Sequence, residues 1–273
     1  MACGWRLACA GAVVVAGLTV SGPAVAAPCG GDFRGWLDTF GREAAARGIS
    51  ARTVQSALSG ITHDPRVVRL DRRQGGTFRK SFEEFAASRI TKGRLSKGAS
   101  LMRRHARLLE RIERQFGVPP AVIVAIWGLE TDFGANMGNH SALRALATLA
   151  HDCRRTDMFQ RELMAALAII DRGDLSPRQM VGAWAGELGQ TQFLASSYER
   201  FAVDYDGDGR RDLIRSVPDA LASTANYLRA YGWRRGAGWQ PGEANFNVLR
   251  EWNRAEVYAR TIALLAARLA GTR

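Results

Sequence analysis

Glu130 is the residue whose position best suits acid–base chemistry in this sequence. Pro119-Pro120 fits the first turn of a helix, and residues 121–129 are almost wholly apolar, so Glu130 ends a buried helix. Burial and the negative end of the helix dipole both disfavour a carboxylate, and both therefore raise the pKa of Glu130. A carboxylic acid that stays protonated near neutral pH can protonate a departing oxygen atom. The alternative is a solvated glutamate at a helix end, which position alone favours.

A run of alternating aspartates forms a second candidate site. Positions typical of a calcium-binding EF-hand loop are occupied by Asp204, Asp206, Asp208, Asp212 and, at the sharp turn, Gly209. The pattern fails at the twelfth position, where Arg215 replaces the bidentate glutamate. A solvated acidic turn is the alternative, although aspartates this close repel one another when no cation is present.

The first residues are typical of an export signal. Arg6 supplies a positive charge, residues 8–20 are apolar, and Ala24-Val25-Ala26 forms a small-x-small cleavage pattern. We therefore predict a signal peptide over residues 1–26 and a periplasmic mature chain. The apolar stretch is shorter than the roughly 20 residues that span a bilayer, so we expect no stable membrane anchor.

The chain is strongly basic, with 38 lysines and arginines against 26 aspartates and glutamates and a formal net charge of +12. Such a charge favours anionic partners and says nothing about the fold. Because an exported protein rarely meets nucleic acid, we rank cell wall first among these partners and expect no nucleic-acid binding. We also expect a monomer.

Two cysteines remain after removal of residues 1–26, which contain Cys3 and Cys9. Disulfides form in oxidising compartments, so we predict a bond between Cys29 and Cys153 that closes a loop of more than a hundred residues. Two buried free thiols are the alternative.

The pattern along the chain predicts a mainly helical, all-α protein. Apolar residues recur at helical spacing, sustained strand alternation is absent, and glycine and proline separate the segments. The sequence predicts an N-terminal helical part over residues 27–115 and a core over residues 116–273.

Several motifs, in one order between about residues 117 and 260, resemble the membrane-bound lytic murein transglycosylase B family. Ordered motifs are far more specific than any single one. The resemblance is carried chiefly by Gly128-Leu129-Glu130-Thr131-Asp132-Phe133-Gly134, Asp152-Cys153-Arg154-Arg155, Gln190-Thr191-Gln192-Phe193, Ala202 to Gly209, Ala225-Asn226-Tyr227, Trp252-Asn253 and Tyr258.

The resemblance implies a lysozyme-like core that acts on peptidoglycan glycan strands. In that family the glutamate at the place of Glu130 is the sole acid and base. It protonates the glycosidic oxygen between N-acetylmuramic acid and N-acetylglucosamine, and then assists attack by the muramyl 6-hydroxyl. The product is a 1,6-anhydro ring, and no water is consumed. One carboxylate suffices because the nucleophile belongs to the substrate, unlike the pair of carboxylates in ordinary glycosidases.

The resemblance also implies roles for residues that line a substrate groove beside Glu130. It implies further roles for residues 204–219, which we call the aspartate loop. Amides bond sugar hydroxyls and acetamides, aromatic rings pack on pyranose faces, and arginines bind carboxylates. The expected substrate-binding residues are Gln192, Tyr227, Asn253, Tyr258, Arg154 and Arg155. The expected calcium ligands are Asp204, Asp206, Asp208, the Arg210 carbonyl and Asp219. Without the resemblance, core aromatics, surface amides and a solvated arginine turn are the simpler interpretations.

Two residues depart from the family pattern near the expected groove. Better-known members carry a serine close to the catalytic glutamate at the place of Ala183, so its supporting hydrogen bond is lost here unless water or Thr191 supplies it. Glu187 adds an acid: facing Glu130, it could allow hydrolysis as a second carboxylate, although we favour a capping or surface role.

Two other functions fit the same residues. One is a peptidoglycan-binding scaffold without catalysis, and the other is a hydrolytic muramidase. Zinc protease, nucleotide enzyme and serine hydrolase are poorly supported, because the sequence has no His-Glu-x-x-His pattern, phosphate-cradling glycine loop or nucleophile elbow. No organic cofactor is expected.

Overall fold

The computed structural model of the 273-residue chain describes residues 28–73 and 81–271. The predicted signal peptide, residues 1–26, lies outside the described residues. In the described part, no helix is long and apolar enough to cross a membrane.

The described residues fold mainly into helices, which confirms the predicted fold class. The helices of the N-terminal part are α1 (Phe33–Ala46), α2 (Ala51–Leu58), α3 (Pro65–Arg72), α4 (Phe82–Arg89), α5 (Lys92–Arg104) and α6 (Ala106–Phe116). The remaining helices are α7 (Pro120–Thr131), α8 (Ala142–His151), α9 (Thr156–Asp171), α10 (Ala195–Phe201), α11 (Val217–Ala230), α12 (Phe246–Trp252) and α13 (Glu256–Ala270). A 3-10 turn covers Pro177–Gln179, and β1 (His140–Ser141) pairs antiparallel with β2 (Val181–Gly182).

Helix α7 is the central helix of the fold. Every residue in it is buried except Glu130, because α13, α5, α11 and α6 pack around it. The helix begins at Pro120, as its sequence predicts, and ends where Asp132 and Phe133 adopt φ angles of 51° and 62°. The turn folds the Phe133 ring back onto Gly128, where a Cβ atom would lie 2.8 Å from that ring. The central helix therefore ends abruptly, immediately after Glu130.

A tight loop over residues 182–193, which we call the 182–193 loop, packs against the end of α7. Antiparallel bridges pair Leu188 with both Gly182 and Phe193. The hydroxyl of Thr131 donates a 2.5 Å hydrogen bond to the carbonyl of Gln190, which joins the loop to α7. These contacts fix the loop beside Glu130.

A disulfide attaches the start of the described chain to the turn that follows α8. Cys29 and Cys153 are bonded, with their Cα atoms 5.2 Å apart, which confirms the predicted pairing. The N–H of Gly30 also donates to the carbonyl of His151 at 2.9 Å. One hydrophobic cluster extends from α1 to α13, so the helices on either side of residue 115 share buried contacts.

Candidate active site

Glu130 opens onto a groove of about 910 Å³. The side chain is half-buried, at the one position of α7 that is not fully covered. The α7 end, the start of α9, the 182–193 loop, α10, α11 and the α12–α13 connection line this groove. Its lining residues include Glu130, Arg155, Arg161, Ala183, Trp184, Glu187, Gln192, Phe193, Tyr227, Tyr231, Glu251, Trp252 and Asn253.

The Glu130 carboxyl group has two hydrogen-bonding partners from the C-terminal helices. The indole Nε1 of Trp252 donates to Oε1 of Glu130 at 2.9 Å, and the side chain of Tyr258 bonds the same carboxyl group. Burial raises the pKa of Glu130 to about 7, against the lowering effect of these two hydrogen bonds. The charge of Glu187 adds to the increase and that of Arg89 opposes it. The group therefore exchanges its proton near neutral pH.

Packing in an aromatic cluster holds Trp252 in place. The rings of Phe193 and Tyr227 contact the Trp252 ring edge-on, at centroid distances of 5.4 Å and 5.0 Å. The Tyr227 hydroxyl donates to the carbonyl of Glu251 at 2.8 Å, which fixes the last turn of α12. Sequence reasoning missed Trp252 as a partner of the acid. Its place in the Trp252-Asn253 motif was the available signal.

The structure brings Gln192, Tyr227, Asn253 and Tyr258 to the groove or to the acid itself. Gln192 has a φ of 52°, and its amide nitrogen donates to the carbonyl of Gly189 at 2.9 Å. Asn253 accepts a hydrogen bond from the N–H of Ala255 at 3.0 Å, just before α13 begins. Each predicted side chain is thus oriented by nearby backbone or by Glu130.

Arg154 and Arg155 share a partner that sequence reasoning did not identify. Both guanidinium groups form ion pairs with the buried carboxylate of Asp71, and Arg154 Nε donates to it at 2.7 Å. Arg155 also lines the groove, whereas Arg154 is absent from its lining. The arginine pair therefore joins the end of α3 to the turn before α9.

The aspartate loop brings together three of the predicted ligands. Oxygen atoms of Asp204, Asp206 and Asp219 lie within 4.8 Å of one another, and Asp208 is not part of this group. Asp208 instead accepts a hydrogen bond from the N–H of Arg210 at 2.9 Å. Three carboxylate oxygens so close together are the hard, anionic donors that calcium prefers.

A half-buried acid at the end of an internal helix, facing an open polar groove in a helical frame, defines a lysozyme-like domain. The chain belongs to the transglycosylase SLT domain family, whose model matches residues 32–243.

Similarity to a named relative is consistent with membership of this family. The chain is 39% identical over 148 residues to membrane-bound lytic murein transglycosylase B of Escherichia coli K12; the match covers 54% of this chain and 41% of that protein. The chain thus matches less than half the length of this curated relative.

Two solved structures show the similarity of the fold. SltB3 of Pseudomonas aeruginosa, in complex with NAG-NAM-pentapeptide, has a TM-score of 0.84 and 33% identity, over 89% of this chain and 80% of that one. The E. coli lytic transglycosylase Slt35, in complex with calcium, has a TM-score of 0.77 and 27% identity, over 87% and 93%.

Proposed function

We propose that this protein is a periplasmic lytic transglycosylase that cleaves the β-1,4 bond between N-acetylmuramic acid and N-acetylglucosamine in peptidoglycan. The observation that carries the proposal is the acid Glu130, with a pKa of about 7, facing a groove large enough for sugar units. The complexes of SltB3 with NAG-NAM-pentapeptide and with NAG-anhNAM-pentapeptide support this substrate class.

Glu130 is the sole acid and base of the proposed reaction. Its proton moves to the glycosidic oxygen as the bond to the muramyl carbon breaks. The resulting carboxylate is stabilised by the hydrogen bonds that Trp252 and Tyr258 give it. It then takes the proton of the muramyl 6-hydroxyl, which attacks the same carbon and closes the 1,6-anhydro ring. Protons balance, Glu130 recovers its acid form, and no water is used.

The groove residues bind the glycan strand in this proposal. Gln192 and Asn253 bond polar groups of the sugars, and Tyr227 and Tyr258 contact the sugar rings. Arg155, which lines the groove, and Arg154 bind carboxylates of the muramyl unit or of its peptide, while Asp71 holds their side chains in place. The active form is a monomer. An N-terminal helical subdomain over residues 27–115 supports a catalytic core over residues 116–273.

We assign the aspartate loop as a calcium site with a structural role. Asp204, Asp206 and Asp219 would hold the ion through carboxylate oxygens, with Asp208 and the Arg210 carbonyl as further ligands. Bound calcium would neutralise the clustered charge and fix the loop before α11. The calcium complex of Slt35 supports the assignment.

Mass analysis of digested, purified sacculi tests the proposed function. The wild-type protein should release muropeptides that end in 1,6-anhydromuramic acid. Products heavier by one water would instead identify a muramidase, and an intact wall that retains the protein would identify a binding scaffold.

A further inference from the structure

The indole group of Trp252 bonds one particular oxygen atom of the Glu130 carboxyl group. Its Nε1 donates to Oε1 of Glu130 at 2.9 Å, and both side chains line the groove. An indole N–H can donate a hydrogen bond but cannot accept one. Oε1 must therefore act as an acceptor whenever this bond is present, in the acid form of Glu130 as well as in the carboxylate form.

The bond to Oε1 decides where the proton of the acid form lies. A protonated carboxyl group has one O–H donor, and its other oxygen atom remains an acceptor. A proton on Oε1 would compete with the indole N–H of Trp252 for the same oxygen atom, so the proton is favoured on Oε2. Tyr258 does not impose such a choice, because a phenolic hydroxyl group can donate or accept.

Packing from the 182–193 loop and from α11 fixes the orientation of the Trp252 ring. The ring of Phe193 meets it edge-on at 5.4 Å with an interplanar angle of 80°, and the ring of Tyr227 does so at 5.0 Å and 77°. The Tyr227 hydroxyl also donates to the carbonyl of Glu251, the preceding residue, at 2.8 Å. Edge-to-face contacts favour one ring orientation. The fold itself therefore directs the indole N–H toward Glu130.

We propose that Trp252 is a positioning residue for the reaction assigned above: its indole N–H keeps Oε1 of Glu130 an acceptor and thereby places the catalytic proton on Oε2. This inference rests on the proposed function. Oε2 gives its proton to the glycosidic oxygen and later takes the proton of the muramyl 6-hydroxyl, while Oε1 keeps its bond to Trp252. One oxygen atom of Glu130 thus serves in both steps.

Other groups act on the same carboxyl group from the elements around it. Tyr258 of α13 bonds it, the charge of Glu187 in the 182–193 loop raises the pKa of Glu130, and the charge of Arg89 at the end of α4 lowers it. A measurement on the Trp252 indole itself separates its contribution from theirs.

Proton and nitrogen NMR of the indole groups tests the inference without any need for activity. The Trp252 signal, assigned from its contacts with the Phe193 and Tyr227 rings, should keep the shift of a hydrogen-bonded indole on both sides of the Glu130 midpoint, expected at about 7. It should move further downfield as Glu130 ionises, because a carboxylate is the stronger acceptor. The movement should vanish in Glu130→Gln. A hydrogen-bonded shift that is lost below the midpoint would overturn the inference, because Oε1 would then carry the proton.

Trp252→Phe keeps an aromatic ring in the cluster and removes only the N–H donor and the second ring of the indole. Its Glu130 carboxylate loses a hydrogen bond, so carbon NMR of carboxyl-labelled protein should give a Glu130 midpoint at higher pH than in wild type. The basic limb of the cleavage rate should move the same way. We expect kcat to fall about tenfold while KM changes little, because the lost bond is to the catalytic group. An unmoved midpoint would contradict the proposal.

Trp127→Phe is the matched control, because it makes the same substitution in α7 at a buried indole whose Nε1 has no hydrogen-bond partner among the described residues. Its Glu130 midpoint should stay at the wild-type value; an equal shift in both variants would show that Trp252 has no special effect. If Trp252→Phe does not fold, the wild-type indole titration alone decides. A wild-type protein that cleaves no glycan would reject the proposed function while leaving that titration readable.

Discussion

At the scale of single residues, the proposed chemistry depends on one carboxyl group that burial and hydrogen bonds affect in opposite directions. Burial acting alone would keep Glu130 protonated and slow to release its proton, whereas the hydrogen bonds from Trp252 and Tyr258 acting alone would leave it ionised near neutral pH, with no proton to donate. Their balance leaves a pKa of about 7, at which one group can give a proton and take another back.

Glu130→Gln should reduce the rate of muropeptide release by about 10²- to 10⁴-fold, the usual contribution of a general acid or base. Glutamine fills the same volume and still accepts the Trp252 hydrogen bond, so the melting temperature should remain close to that of wild type. Release rates and thermal melts measure the two effects. A variant that keeps wild-type activity would remove Glu130 from the catalytic role.

The rate should fall as pH rises through about 7, because only the protonated form of Glu130 can donate. Below that pH the group is mostly protonated, so this residue produces the basic limb of the profile and not the acidic one. Initial rates on one sacculus preparation, measured across neutral pH at constant ionic strength, would show the limb. A limb centred near pH 4.5 would mean an ordinary solvated glutamate.

At the scale of elements, α7 was predictable and its partners were not. The Pro119-Pro120 start and the apolar run fix both the helix and the place of Glu130 in local sequence. By contrast, Trp252 bonds Glu130 although the two residues are 122 positions apart in sequence. Asp71 and Arg154 are paired although they are 83 positions apart. Such contacts depend on how helices pack, which periodicity does not encode.

A hydrogen bond from Thr131 connects α7 to the 182–193 loop, and replacing Thr131 should lower the stability of the fold by removing this connection. Thr131→Val keeps the shape but leaves the Gln190 carbonyl and the Gly134 N–H without their hydroxyl partner. Loss of buried hydrogen bonds of this kind costs about 1–3 kcal/mol of unfolding free energy. Denaturant melts would measure it, with Thr39→Val as the control, because among the described residues the Thr39 hydroxyl bonds only within α1. Equal, small losses of unfolding free energy in Thr131→Val and Thr39→Val would contradict a stabilising role for the Thr131 hydrogen bonds.

Chelation should lower the melting temperature if the aspartate loop holds calcium. A ligand that binds only the folded state stabilises it by about 2.7 kcal/mol at a hundred times its dissociation constant. Asp204→Asn combined with Asp206→Asn should melt as the chelated wild type does, and should not respond to calcium. An unchanged melt of the wild type in chelator would reject the structural calcium site.

At the scale of the whole molecule, one disulfide ties the N-terminal residues to the core across 124 positions of sequence. The sequence predicted this bond from cysteine number and compartment alone. The shared hydrophobic cluster could not be predicted in the same way, because it depends on which helices of the N-terminal part meet α13.

Removing the disulfide should destabilise the fold by about 4–5 kcal/mol, because so long a loop is costly to close in the unfolded chain. Cys29→Ser with Cys153→Ser should therefore melt roughly 10 °C lower than the oxidised protein. A reducing agent should lower the wild-type melt and leave the double variant unaffected. Equal melts of oxidised wild type and double variant would show that the bond adds nothing.

The central claim is that the substrate supplies its own nucleophile while Glu130 moves the proton. Digestion of purified sacculi in water enriched in oxygen-18, followed by mass analysis of the new muramyl ends, tests it most directly. The account predicts anhydro ends without the heavy isotope from the wild type, and a rate at least a hundredfold lower from Glu130→Gln. Muramyl ends that carry oxygen-18 would contradict it.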